Sequence, residues 1–279
     1  MPTLGQTTSD AAQLLASISD SPRLDAEVLI AHALQIPRAR FITDPDLELT
    51  PQQCEAIDAL IQRRAKGEPI AYILGNKHFW DLELTVSPAV LIPRPDTEVI
   101  VETALTLFPE DTAIDAIDLG TGSGAIAIAI AKARPGWHVC ASDASKAALA
   151  IAIENAEHYQ LHNLTLLQSH WFDELVKDKK YDLILSNPPY IPEHDPHLQQ
   201  GDVRYEPQQA LISGADGLDD IRHLIAESQH HLKPGGYLML EHGYDQGERV
   251  YQLFVEQGYR DVQQRKDFGG HIRVTFGKV

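Results

Sequence analysis

Up to about residue 70 the chain repeats its apolar side chains at helical spacing. In SPRLDAEVLIAHAL, Leu24, Val28, Leu29, Ala31 and Ala33 fall close to one stripe, with Pro22 near a helix start. TPQQCEAIDALIQRRAKGEP opens on a Thr50-Pro51 N-cap pair and stops at Gly67, ahead of Pro69. These patterns predict a small helical bundle over residues 1–72, and any core would produce them, so they assign it no chemistry. From Ile70 to Ile92, β-favouring runs around Gly75-Asn76 predict a short hairpin turning at that pair, with residues 73–92 as a linker.

Beyond the linker, strands and helices alternate. AIDAIDL reads as a strand, AIAIAIAKA as a helix, HVCASD as a strand, SKAALAIAIENAEHY as a helix, and LTLLQS and YDLILSN as strands. The helix GLDDIRHLIAESQHHL, the strand GYLMLEH and a helix from Gly247 to Gln257 follow, then two strands around RDVQQRKDFGGHIRVTF. The alternation predicts a doubly wound, Rossmann-like α/β domain over residues 93–279, a mostly parallel seven-stranded sheet with helices on both faces. The turn at Gly269-Gly270 is too tight for a parallel crossover, so the last strand should run antiparallel.

Composition narrows the picture modestly. With 43% hydrophobic and 23% charged residues, the 279-residue chain reads as an ordinary globular protein. A net charge of −17 disfavours a protein that grips bulk nucleic acid through phosphates. Cys54 and Cys140 are far apart and form no metal or redox motif, which suits a reduced interior. The N-terminus has no basic region followed by an apolar run, and no segment is long enough to span a bilayer. A cytoplasmic protein without membrane partners is expected.

Two motifs carry chemistry. Gly120-Thr121-Gly122-Ser123-Gly124 joins the first strand of the sheet to its first helix, where glycines let the backbone turn sharply and approach a ligand. The next strand ends at Asp143, placed to accept both hydroxyls of a ribose in the crevice at the carboxyl edge of the sheet. Gly120, Gly122 and Ala125 also satisfy a dinucleotide pattern, so the motif alone separates neither NAD from another adenosine cofactor nor a ligand site from a plain turn.

The second motif is Asn187-Pro188-Pro189-Tyr190, where an apolar strand runs into two residues that cannot donate to a ladder. The strand should lie beside the first, at the switch point, so its end faces the cofactor. The Asn187 side-chain carbonyl and the directed Pro188 backbone carbonyl can accept both hydrogens of an –NH2 group, and Tyr190 offers a flat face. Such acceptors would orient a delocalised nitrogen and stabilise the charge it gains during attack on a sulfonium methyl. A proline-stiffened strand exit is the structural alternative.

DLGTGSG, SDAS and SNPPY, in this order, resemble the class I S-adenosylmethionine-dependent methyltransferases that modify planar nitrogens. With GEPIAYILGNKHFW, LIPRPDTE, SNPPYIPEHDPHLQQGDVRYEP and LKPGGYLMLEHGYDQG, the chain resembles the PrmC (HemK) family of protein-(glutamine-N5) methyltransferases over nearly its whole length. The resemblance implies S-adenosyl-L-methionine as cofactor, S-adenosyl-L-homocysteine as product, and the Gly-Gly-Gln loop of peptide chain release factors as partner. It implies a substrate-recognition role for the N-terminal helical domain. Gly120, Thr121, Gly122, Ser123 and Gly124 would surround the methionine part of the donor, Asp143 would bind its ribose, and Trp171 would flank its adenine. Asn187, Pro188, Pro189 and Tyr190 would hold the glutamine amide, with Asn187 catalytic and near the reactive methyl.

Asp118 and IPRPDTE would help shape the donor pocket, although Pro95 with Asp96 and Glu98 also makes an ordinary acidic helix start. His78 stands where the family commonly has an acidic residue, so no role is assigned to it. His194, Asp195 and His197 match no standard zinc spacing and are read as part of a polar loop over the pocket. His230-His231 sits near a helix C-terminus, where positive charge is favourable. The same elbow would serve the exocyclic amine of adenine in nucleic acid, a substrate that the charge disfavours. An NAD-dependent oxidoreductase or a non-catalytic nucleotide-binding module leaves the elbow without a task.

Overall fold

Side-chain caps start two of the N-terminal helices. Thr3 and Thr50 each accept from the backbone three residues on, and Gln6 and Gln53 reciprocate, so two capping boxes open α1 (Leu4–Leu15) and α4 (Pro51–Ala65). A computed structural model describes residues 1–279 and divides the chain into two units, Met1–Gly75 with Pro196–Tyr205, and Asn76–Asp195 with Glu206–Val279. The first unit also holds α2 (Pro22–Leu34), α3 (Arg40–Thr43) and α5 (Ile70–Leu74). Leu4, Leu15, Leu29, Ile30 and Leu49 are fully buried in its core. Arg64 is buried with them and binds Asp25 at 2.9 Å and Asp202 at 2.9 Å, which ties the 196–205 segment into this unit. Gly67 lies at φ +96°, where a Cβ would come within 1.8 Å of the Arg204 guanidinium.

The hairpin differs from the sequence expectation. Gly75, at φ +78°, closes α5 by donating its N–H to the Ala71 carbonyl, so it is a helix cap. The hairpin comes after it, with β1 (Asn76–Phe79) antiparallel to β2 (Leu82–Thr85) and Trp80-Asp81 at the turn. A glycine with positive φ serves a helix end and a hairpin turn equally well, and a five-residue helix is too short to show its period. His78 is exposed and pairs across the hairpin with Glu83.

The second unit is built on β3 (Asp115–Leu119), β4 (His138–Asp143), β5 (Leu164–Gln168), β6 (Tyr181–Ser186), β7 (Leu232–Glu241), β8 (Arg260–Lys266) and β9 (Ile272–Lys278). They form one seven-stranded sheet in the order β5-β4-β3-β6-β7-β9-β8. The first five in this order pair in parallel, and β9 runs antiparallel to both of its neighbours. Alternate side chains enter opposite cores, as the strand period of two requires. Leu183, Leu185 and Met239 pack on one face with α6 (Glu98–Leu107) and α7 (Ala125–Ala133). Ile184, Leu238 and Leu240 pack on the other with α9 (Asp219–Ser228) and α10 (Gly247–Glu256). Between β4 and β5 runs α8 (Lys146–His158).

The central pairing positions the site. β3 and β6 are neighbours, with Ile117 opposite Ile184, so the glycine turn after β3 and the elbow after β6 leave the same edge of the sheet. This is the switch point, where β3 turns to β4 on one side and to β6 on the other.

Candidate active site

At that edge lies a cavity of about 360 Å³. Its walls come from Ala89–Leu91, from Pro93, Arg94 and Thr97, from the glycine turn, from Asp143–Ser145, from Ser169–Trp171 and from the elbow. Ala125, Ile126 and Ala148 from the two helices that follow, with Pro207, Gln209, Ala210 and Asp220, complete it.

The glycine turn is held by β4. Gly120 and Thr121 both donate N–H groups to the Ser142 carbonyl at 2.9 Å. Gly120, Gly122 and Gly124 all have positive φ, at +73°, +57° and +86°. The Asp143 carboxylate is fixed at both oxygens, by Gly122 N–H at 2.9 Å and Ser145 N–H at 2.8 Å. Burial raises its pKa, and these two backbone donors pull it back. Each oxygen keeps acceptor capacity towards the cavity. Behind the turn, Thr121 donates its hydroxyl to Asp118 at 2.6 Å. Asp118 is buried, which pushes its pKa up to about 7, and its second oxygen has no partner.

Trp171 sits in the left-handed region at φ +48°. Its ring would lie 3.3 Å from a Cβ on Gly120. The indole N–H donates to Asp220 at 3.2 Å, and Asp220 accepts in turn from the Ser213 hydroxyl at 2.7 Å.

The elbow is clamped on every side. Ser186 donates to the Leu119 carbonyl at 2.6 Å, joining β6 to β3. Asn187 donates Nδ2–H to the Thr97 hydroxyl at 3.2 Å, whereas its Oδ1 is buried with no partner. Tyr190 donates N–H to the Leu211 carbonyl at 3.2 Å, and its own carbonyl accepts from Gln246 at 2.9 Å. Gly217, at φ +77°, passes so close that a Cβ would lie 2.3 Å from the Tyr190 carbonyl oxygen. Glu241 ends β7 beside the elbow. Burial pushes its pKa up to about 7, against lowering by the Thr97 hydroxyl, by Arg273 and by the Tyr190 phenol. The phenol itself is raised, chiefly by burial and then by the charge of Glu241.

Gly120, Thr121, Gly122, Ser123, Asp143, Trp171, Asn187 and Pro189 line the cavity together. Gly124, Pro188 and Tyr190 are not part of its lining. Gly124 precedes α7, where a Cβ would meet the Ile128 side chain at 2.8 Å. IPRPDTE begins a helix and also reaches the cavity. Pro95–Thr97 is a 3-10 turn leading into α6, while Pro93, Arg94 and Thr97 reach the cavity. Thr97, Glu241 and Gln246 lie in segments that carry the resemblance, and Asp220 in a helix, but the sequence gives none of them an individual role, because each meets its neighbours only through the fold. His231 stacks on Phe172 with ring centroids 4.5 Å apart, and burial lowers its pKa. No group of three or more His, Cys, Asp or Glu side chains is arranged to hold a metal ion.

Family models and known proteins match this arrangement. Residues 6–75 match the PrmC N-terminal domain, and residues 97–266 match the methyltransferase small domain. Among solved structures, a methyltransferase from Pyrococcus furiosus superposes with a TM-score of 0.54 at 20% identity, covering 78% of this chain and 96% of that one. The T. thermophilus 16S rRNA N2 G1207 methyltransferase RsmC, in complex with AdoMet and guanosine, gives 0.53 at 20% identity, over 73% and 49%. At that identity they show the fold. The sheet order and the matched domain define a class I methyltransferase. The release factor glutamine methyltransferase of Escherichia coli (strain K12) is 48% identical over 260 residues, 93% of both chains. That of Coxiella burnetii is 45% identical over 278 residues, 100% of this chain and 99% of its own. The chain belongs to the release factor glutamine methyltransferase family.

Proposed function

We propose that the protein methylates the side-chain amide nitrogen of the glutamine in the Gly-Gly-Gln loop of peptide chain release factors, with S-adenosyl-L-methionine as donor. The observation that carries this reading is the Asn187 amide, in a residue that lines the cavity, whose nitrogen is engaged by Thr97 while its oxygen is buried without a partner. A buried acceptor of that kind is costly unless a ligand donates to it.

The residues present suit the donor. Gly120 and Gly122, both at positive φ, leave their part of the wall without a side chain, Asp143 offers acceptors for a ribose diol, and the Trp171 ring gives an adenine a flat neighbour. When bound, S-adenosyl-L-methionine supplies an electrophilic methyl group whose departure leaves a neutral thioether. Asn187 Oδ1 and the Pro188 carbonyl accept the two amide hydrogens of the glutamine and direct its nitrogen lone pair into the cavity. As the nitrogen forms its bond to carbon it gains positive charge, which the same oxygens stabilise before one proton passes to water. No general base is needed.

The N-terminal helical unit recognises the release factor, and Pro189 with Tyr190 completes the amide site. Net charge of −17 supports a protein substrate over the adenine of a nucleic acid. No helix is long and apolar enough to cross a membrane, and the proposed substrate places the enzyme in the cytoplasm. Incubation with radiolabelled S-adenosyl-L-methionine and a purified release factor should label the glutamine of the Gly-Gly-Gln loop, read by peptide mass spectrometry. Label on DNA or RNA and none on the release factor would overturn the proposal.

A further inference from the structure

We infer that Asp220 is a positioning residue for the methyl donor, its carboxylate holding the Trp171 indole in the plane from which the ring flanks the adenine. The inference rests on the donor placement proposed above and adds a residue that acts through the ring, not on the reacting atoms.

An indole on a cavity wall can turn about two side-chain bonds, and its flat face serves a purine in only some of those settings. The Trp171 backbone is set first. At φ +48° it occupies a region that bulky residues rarely adopt and that persists only where neighbours enforce it. Its carbonyl accepts from the Ser169 hydroxyl at 3.0 Å, and the same hydroxyl oxygen accepts from the Glu174 N–H at 3.1 Å. Ser169 N–H donates to the Asp143 carbonyl at 3.1 Å, which ties this loop to the end of β4. Those bonds hold the backbone and leave the rotation of the ring open. Two contacts then define it. Gly120 admits the ring beside the glycine turn, where a Cβ would stand 3.3 Å away. Asp220 Oδ1 accepts from the indole N–H at 3.2 Å, and an indole has no second donor.

Asp220 is itself held from two sides. Its Oδ2 accepts from the Ser213 hydroxyl at 2.7 Å, and its N–H donates back to Ser213 Oγ at 2.8 Å. Ser213 is 2% exposed, and it donates its N–H to the Ile191 carbonyl at 3.0 Å. Ile191 in turn donates to the Leu211 carbonyl at 2.8 Å. The bonds therefore run from the donor wall to the backbone that leaves the elbow. The dipole of α9 favours an acid at its start, but it would require neither the hydroxyl nor the indole. Here each carboxylate oxygen takes a side-chain donor from a different segment, and the residue also lines the cavity.

Calorimetric binding of S-adenosyl-L-homocysteine, steady-state transfer to a release factor and indole NMR test this together. Asp220→Ala should weaken binding about fivefold or more, and Trp171→Phe, which keeps a flat ring without an N–H, by a similar factor. The double variant should lie within about twofold of the weaker single variant, because both substitutions break one bond. Asp220→Asn, whose Oδ1 still accepts, should bind within about threefold of wild type. The Asp220→Ala loss should fall on the KM for the donor and not on kcat. Among the three tryptophans, Trp171 is assigned by the indole resonance lost in Trp171→Phe. In Asp220→Ala that proton should exchange with water about tenfold faster.

Unaltered affinity in Asp220→Ala, losses that multiply in the double variant, a loss in kcat alone, an Asp220→Asn variant as weak as Asp220→Ala, or an indole proton indifferent to the substitution would overturn the inference. If Asp220→Ala fails to fold, Ser213→Ala decides. A loss of affinity that vanishes in the Trp171→Phe background supports the inference, and no loss, or an equal loss in both backgrounds, overturns it. Wild-type enzyme that binds no S-adenosyl-L-homocysteine overturns the donor placement itself, and this inference with it.

Discussion

At the residue scale, the site contrasts side chains held by neighbours in sequence with side chains held across the fold. Asp143 belongs to the first kind: Ser145 is two residues on, and the glycine turn leaves the adjacent strand one connection earlier. Its placement was legible because a strand end followed by a helix leaves a carboxylate at one predictable edge. Asp143→Ala should weaken donor binding about tenfold or more by removing charge-assisted acceptors, without changing the unfolding midpoint by more than a few degrees. Titration calorimetry showing unaltered donor affinity would refute the ribose assignment. Thr97 belongs to the second kind, 90 residues from the asparagine it binds. In the sequence it is one threonine in a helix start. Its role appears only when the end of β6 brings Asn187 to it.

At the element scale, secondary structure follows local pattern where elements are long and departs from it where they are short. α7 spans Ala125–Ala133 and Thr50 opens α4, as the pattern predicts. The five residues of α5 read as strand because Ile70, Tyr72 and Ile73 favour β structure and one helical turn shows no period. A tertiary link then joins elements that the sequence keeps apart. Asn155 on α8 is 2% exposed and donates to the Thr85 carbonyl at 3.0 Å and to the Ser123 carbonyl at 2.9 Å, while accepting from Thr85 N–H at 2.7 Å. It fastens the hairpin and the glycine turn to one helix. Asn155→Ala leaves buried backbone groups unpaired, so it should destabilise the protein by about 2–3 kcal/mol. Urea unfolding showing a loss below about 0.5 kcal/mol would mean that water replaces those bonds.

At the scale of the whole molecule, buried carboxyls couple the active site to pH. Asp118 is raised from 3.8 to about 7 by burial. A folded-state pKa above the unfolded value means that the folded protein holds a proton the unfolded chain releases. The associated stability is complete below about 4 and is lost as pH rises through about 7. Asp118→Asn keeps an acceptor for Thr121 and removes the titration. The stability of the variant relative to wild type should therefore increase between pH 5 and about pH 8, as read by urea denaturation at both. An unchanging difference would show that Asp118 titrates alike in both states. Local physics along the chain encodes helices with caps, an alternation that demands a parallel sheet, and a glycine turn with its distal acid at one edge. It also marked Asn187, because two prolines after a buried strand leave few alternatives. Tertiary structure alone decided what holds the Asn187 amide, since Thr97 and Asn187 come from separate elements. That hydrogen bond depends on where the strand order sets the end of β6, which nearest neighbours along the chain do not carry.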